Sequence, residues 1–238
     1  MELITIRDLH FGYSSQDETL KGINLKVNSG DFLCIVGENG SGKSTLIKCI
    51  LGLNKVAKDQ INVKERIGYL PQMTEIQSNF PATIEEVVMS GTIPNHPKKI
   101  WYTKEDKERA SNIMKELELY DIKKKCFSEL SGGQKQRVLI ARALCATDKI
   151  ILLDEPVNGL DPRIAIQIYE KLSKLNKEKK LTVVMVSHDI DRAIEYATRV
   201  VEIERGKIVK DVLTSEYRQK DVANDSISKN NKKGGRKK

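Results

Sequence analysis

The apolar run Phe32-Leu33-Cys34-Ile35-Val36 leads straight into Gly37-Glu38-Asn39-Gly40-Ser41-Gly42-Lys43-Ser44-Thr45, and Leu46-Ile47-Lys48-Cys49-Ile50-Leu51 follows. Five apolar residues in a row read as a strand buried on both faces. The stretch after the glycines reads as a helix. Strand, glycine-rich turn and helix in immediate succession point to an α/β architecture. The turn itself matches the pattern G-x-x-x-x-G-K-[ST] of a loop that cradles phosphate. Gly37, Gly40 and Gly42 permit close backbone approach and unusual dihedrals. Successive N–H groups of the loop, together with the helix N-terminus, can then surround phosphate oxygens. Lys43 brings a charge to β- and γ-phosphates, and the Ser44 hydroxyl is placed for Mg²⁺. Glu38, Asn39, Ser41 and Thr45 complete the binding stretch. A turn that only capped a helix would not need the whole pattern. Alone, the motif says nucleoside triphosphate and fits a GTPase or a kinase equally well.

Two later stretches narrow this. Ile150-Ile151-Leu152-Leu153 reads as a central parallel strand, and it ends in Asp154-Glu155-Pro156. Ligands in open α/β sheets bind at the carboxyl ends of strands, where these two acids lie. Adjacent strand residues point opposite ways, so different roles are expected for the pair. Asp154 is the expected Mg²⁺ partner, and Glu155 the expected base or water-orienting group. An ordinary acidic helix entry is the plainer alternative, weakened by the demand of Lys43 and Ser44 for such a partner. Leu130-Ser131-Gly132-Gly133-Gln134 opens a helix of strong helix formers running on to Leu144. Ser131 is a plausible N-cap, and the two glycines are expected to leave N–H groups accessible to an anion.

The loop at 37–45, the sequence at 130–134 and Asp154-Glu155-Pro156, in that order, resemble the ATPase subunit of ABC transporters over roughly residues 3–210. The resemblance implies a P-loop NTPase (RecA-like) core of α/β class. It also implies an N-terminal antiparallel β subdomain and an inserted α-helical signature subdomain at about 73–146. Further positions match. Tyr13 resembles the aromatic that stacks on adenine, with Phe11 as the fallback. Gln72 resembles the glutamine that touches Mg²⁺ or water and links to the permease. Asn158-Gly159-Leu160-Asp161 resembles the loop that crosses the dimer interface. His188 resembles the histidine that contacts the γ-phosphate and holds the attacking water with Glu155. The family often has Thr where this chain has Val157, a departure that leaves the acids and His188 intact.

In that family one subunit's signature completes the other's P-loop site. The resemblance therefore implies a homodimer with Ser131, Gly132, Gly133, Gln134 and Asp161 reaching across to ATP. It further implies a separate integral membrane permease, and an extracytoplasmic metal-binding protein acting indirectly. ATP would hold the closed pair together, and hydrolysis would reopen it.

At 238 residues the chain fits one ATPase domain, residues 1–217, with a subdomain inside it. No apolar run reaches the ~18–20 residues of a membrane span. No signal peptide is visible, so a cytoplasmic protein held at the inner face of the membrane by its permease is expected. Cys34, Cys49, Cys126 and Cys145 lack metal-site spacing, and they read as reduced fillers. Net charge is +8, of which residues 218–238 carry +6 through eight Lys/Arg and two Asp. That basic stretch reads as a disordered, solvated tail, so no nucleic-acid partner is expected.

Residues 3–6 and 23–27 alternate like antiparallel strands, and 66–70 reads as another strand. Helices are expected from Thr83 and over 105–119. A third follows Asp161, with Ile164, Ile168, Leu172 and Leu175 on one face. A strand at 181–186 and a helix at 189–197 are expected to complete the core. The connection from Leu53 to Arg66 is short for the family. The stretch Asn79-Phe80-Pro81-Ala82-Thr83-Ile84-Glu85-Glu86-Val87-Val88 resembles that of ATPases in zinc and manganese uptake systems. Import of a divalent metal ion is the expectation. Iron complexes, cobalt or nickel, drug export and a soluble ABC ATPase without a permease remain alternatives.

Overall fold

The computed structural model describes residues 1–14, 17–72, 81–93 and 101–217. Residues 79 and 80 of the metal-uptake-like stretch and the basic tail lie outside them. Two sheets form the frame. Three strands, β1 (Glu2–Phe11), β2 (Leu20–Asn28) and β4 (Ile61–Val63), make an antiparallel sheet of order β2-β1-β4. A six-stranded sheet runs β5-β6-β7-β3-β8-β9. Its members are β3 (Phe32–Val36), β5 (Ile67–Leu70), β6 (Ile150–Asp154), β7 (Thr182–Val186), β8 (Arg199–Glu204) and β9 (Lys207–Leu213). Neighbours pair in parallel except β9, which lies antiparallel on β8 at the edge.

Strands β3, β6 and β7 are buried at every residue, and period-two alternation divides them between two cores. Leu33, Ile35, Leu152, Val184 and Val186 pack with the small sheet and with α1 (Lys43–Ile50). Phe32, Cys34, Val36, Leu153, Val183 and Met185 face the helices on the other side. Those helices are α2 (Ile84–Ser90), α3 (Lys104–Glu116), α4 (Gly132–Cys145), α5 (Pro162–Lys179) and α6 (Ile190–Tyr196). Continuous apolar strands are what a sheet covered on both faces demands.

The helical insert, α2 to α4, is shaped by its sequence-encoded starts. Thr83 with Glu86, Thr103 with Asp106 and Ser131 with Gln134 each form a reciprocal capping box. Arg109 on α3 then ties the insert together. Its guanidinium donates to the carbonyls of Leu144, Cys145 and Thr147 and to Asp148, satisfying the last turn of α4. The axis of α4 is thereby fixed where it hands the chain to β6.

Two expectations, the end of the core and the end of the second insert helix, are corrected, and two are extended. The 53–66 connection holds a strand, β4, paired with β1 through Ile4, Thr5 and Ile6. The core does not end at residue 197, because β8 lies directly beside β3 and β9 extends the edge. The second insert helix stops at Glu116 rather than 119, with Leu117 as its C-cap. The buried stripe of α5 holds Ile168, Leu172 and Leu175 as expected, but also Tyr169, which is completely buried, while Ile164 is only half-buried. Cys34, Cys49 and Cys145 are buried, and burial pushes the Cys34 and Cys145 thiols up to about 12.

Candidate active site

The P-loop, Asp154, Glu155 and His188 gather at the carboxyl ends of β3, β6 and β7 in the large sheet. The loop leaving β3 depends on glycine in a specific way. Gly37 has φ 145°, and a Cβ there would lie 2.2 Å from the Ile203 carbonyl oxygen of β8. The missed strand β8 is thus the floor against which the loop folds. Gly42 stands as N-cap of α1 with φ 109° and no side-chain cap. The amides opening that helix therefore remain for an anion.

Lys43 is 5% exposed and folds back along the loop, its Nζ donating to the Gly37 and Glu38 carbonyls at 2.7 Å each. Burial pulls this ammonium below the ordinary lysine range, opposed by the carboxylates of Glu155 and Asp154. Asp154, 6% exposed at the end of β6, is the converse. Burial and then the Glu155 charge raise its pKa, while the Ser44 hydroxyl and nearby Lys48 and Lys43 lower it. Its Oδ1 is buried without a hydrogen-bond partner. An orphaned carboxylate oxygen beside the Ser44 hydroxyl is a hard-oxygen donor set, which fits Mg²⁺.

Glu155 differs from Asp154, but not through strand alternation. The strand has ended, and Glu155 takes a left-handed backbone, φ 51°. Such a conformation is unusual outside glycine, asparagine and aspartate. Its amide donates to the Val186 carbonyl at 3.1 Å, and its carbonyl accepts from Asn158 N at 3.2 Å. The carboxylate so placed collects the other named residues. Oε2 accepts from Gln72 Nε2 at 3.0 Å and from Asn158 Nδ2 at 2.8 Å, and His188 Nδ1 lies 3.5 Å from Oε1. The side chain is 15% exposed and His188 is 51% exposed. Asn158 was not among the site residues expected from the sequence. Its neighbourhood was recognised, but a contact to Glu155 three residues away needs the tight turn between them.

Tyr13 is 61% exposed, with its hydroxyl 3.4 Å from Thr45 Oγ1 of α1 and its ring edge-on to Phe11. An open aromatic face thus lies beside the loop. Ser131, Gly132 and Asp161 are also exposed. Ser131 and Asp161 already serve as N-caps within the chain, Ser131 to Gln134 N and Asp161 to Arg163 N. Gly133 is a buried residue. A Cβ there would sit 2.5 Å from Ile164 Cγ2, so this glycine exists for the close seating of α4 on the start of α5.

A glycine loop between strand and helix, with an acid ending β6, one strand removed from β3 in the same sheet, defines a P-loop nucleotide-binding fold. The family model for ABC transporters matches residues 20–158, and the chain belongs to that family as an ATPase. The chain is 34% identical over 219 residues to the high-affinity zinc uptake system ATP-binding protein ZnuC of Bacillus subtilis, covering 87% of this chain and 93% of that one. It is also 34% identical to the phosphonates import ATP-binding protein PhnC of Staphylococcus epidermidis, covering 95% and 93%. Among solved structures, a metal-chelate type ABC transporter in an inward-facing conformation superposes with TM-score 0.82 at 28% identity, covering 91% of this chain and 85% of that one. A dimeric ATP-binding cassette with ADP and phosphate gives TM-score 0.74 at 29% identity, covering 89% and 98%.

Proposed function

We propose that two copies of this chain close on ATP, each P-loop facing the other's Ser131 helix, and drive a divalent-metal importer. The observation that carries the ATPase arrangement is the single carboxylate, Glu155, held by Gln72 and Asn158 beside His188. In this reading the phosphates displace the Gly37 and Glu38 carbonyls as partners of Lys43. The loop amides and the partner's Ser131, Gly132, Gly133 and Gln134 hold the triphosphate from opposite sides, with Asp161 of the partner beside them. The Tyr13 face takes the adenine. Ser44, Asp154 and Gln72 would hold Mg²⁺, which supplies positive charge at the β- and γ-phosphates when bound. Glu155 accepts a proton from the attacking water, the new bond forms to the γ-phosphorus, and the bond to the β-bridging oxygen breaks. His188 donates to the γ-phosphate.

The groove of about 380 Å³ beside Gln72, with an apolar floor of Ala82, Val87, Phe127 and Leu139 and Glu86 and Arg142 also lining it, suits contact with a permease segment. Among the described residues no helix is long and apolar enough to cross a membrane. Attachment at the membrane is accordingly assigned to the permease. The zinc uptake relative and the 79–88 resemblance support the metal cargo, whereas the phosphonate import relative carries the second reading.

Uptake of Zn²⁺ or Mn²⁺ into vesicles holding the chain and its permease is expected to require ATP. Hydrolysis with phosphonate uptake and no metal uptake would replace the cargo while leaving the motor intact. Lys43→Ala is expected to weaken ATP binding at least about tenfold, the scale of a lost charge-assisted hydrogen bond. Unchanged affinity in equilibrium titration would remove the P-loop from the binding site.

A further inference from the structure

Beneath His188 lies a hydroxyl that the reaction described above does not use. Tyr169 of α5 is completely buried, its ring stacked on Tyr196 of α6 with centroids 5.2 Å apart. Its hydroxyl faces Ser187, with Cys34, Asp189 and Arg192 nearby. It lies beside Ser187, close enough for Ser187 to lower its pKa, but outside good hydrogen-bond geometry. Burial holds its pKa up at about 12, so it is a neutral donor. A buried hydroxyl left unpaired costs about 1–3 kcal/mol, and phenylalanine would fill the same space without that cost. Packing alone does not account for a tyrosine here.

Ser187 opens the turn that presents His188. Its amide donates to the Ile35 carbonyl of β3 at 3.1 Å. Its Oγ accepts from Asp189 N at 3.1 Å and donates to the Asp189 carbonyl at 3.2 Å. A serine hydroxyl has two acceptor sites, so one remains for the phenol. The other end of the connection is α5 itself. This helix starts at its N-cap Asp161, three residues after Asn158, which holds Glu155. Near that end Leu160 and Ile164 lie against Gly132 and Gly133. One rigid helix thus joins the expected partner-facing segment to the floor under His188.

We propose that Tyr169 is a positioning residue for His188. Its hydroxyl donates to Ser187 Oγ when the 186–189 turn takes its hydrolysis-competent position, coupling the setting of His188 to α5. The inference rests on the reading of His188 as a γ-phosphate contact.

Tyr169→Phe, His188→Ala and the double variant, each in the full chain, test it. Tyr169→Phe is expected to keep or raise the Tm and to leave ATP affinity unchanged. It should lower kcat by about twofold to tenfold, the value of one hydrogen bond, with KM for ATP unaltered. In the His188→Ala background it should cost nothing further. Wild-type kcat in Tyr169→Phe beside an impaired His188→Ala overturns the inference and leaves the His188 reading standing. A lowered Tm with additive losses in the double variant also overturns it, by assigning Tyr169 a packing role. Normal turnover in His188→Ala removes the His188 reading and the inference with it.

Discussion

Glu155→Gln should bind ATP, remain as a closed dimer, and hydrolyse at least about a hundredfold more slowly than the parent chain, the lower end of what a positioned general base supplies. The substitution is nearly isosteric, and one amide oxygen can still accept from Gln72 or Asn158. The backbone has no reason to move, because its left-handed turn is held by the Val186 carbonyl and by Asn158 N. What is lost is the capacity to take a proton from water. Removing one negative charge also lowers repulsion toward the triphosphate and toward Asp154, whose pKa Glu155 raises. Binding should therefore hold or tighten while chemistry fails. Single-turnover hydrolysis together with light scattering in ATP separates the two effects. Near-normal turnover would sink Glu155 as the base and shift attention to His188.

The parts of this site that were legible in the sequence are those whose geometry is local. A strand, a glycine loop and a helix follow one another within residues 32–51, so period and composition suffice to place Lys43 and Ser44. Capping residues at Thr83 and Ser131 likewise act over three positions. Other features depend on what lies across space. Strand β8 reads Arg-Val-Val-Glu-Ile-Glu, and its charges conceal a central strand until β3 and β9 flank it. Strand β4 is only three residues long, and it exists because β1 has an unpaired edge beside it. The different settings of Asp154 and Glu155 were expected from strand alternation. The left-handed turn at Glu155 produces them instead, and no residue type in Asp-Glu-Pro announces a positive φ. Gly133 looked like an opening for an anion because glycine serves both open amides and tight packing. The approach of Ile164 shows the packing use at this position, which no local pattern announces.

Ser131→Arg should leave ATP binding to the single chain within about twofold of the parent, yet lower turnover by about a hundredfold. Loss of one preorganised donor to a developing oxyanion is known to cost on that scale. The residue is exposed at the opening of α4, and the axis of that helix is fixed at its other end by Arg109. In the proposed dimer its hydroxyl thus has a defined place from which to meet the partner's phosphates. An arginine there replaces a small neutral hydroxyl with a long charged side chain, which is expected to obstruct closure of the proposed dimer. It also removes the N-cap to Gln134 N, which costs about 1 kcal/mol of helix stability. Ser131→Asn separates these contributions, since asparagine caps as well as serine but carries no bulk comparable to arginine. If lost capping were the cause, Ser131→Asn would behave as wild type and Ser131→Ala as badly as Ser131→Arg. The decisive sample is Ser131→Arg combined with Glu155→Gln, in which hydrolysis cannot reopen a dimer once formed. A monomer in ATP by light scattering supports a site shared between two chains. A dimer in that sample means that Ser131 does not meet the partner's nucleotide, and each P-loop must then find the rest of its site elsewhere.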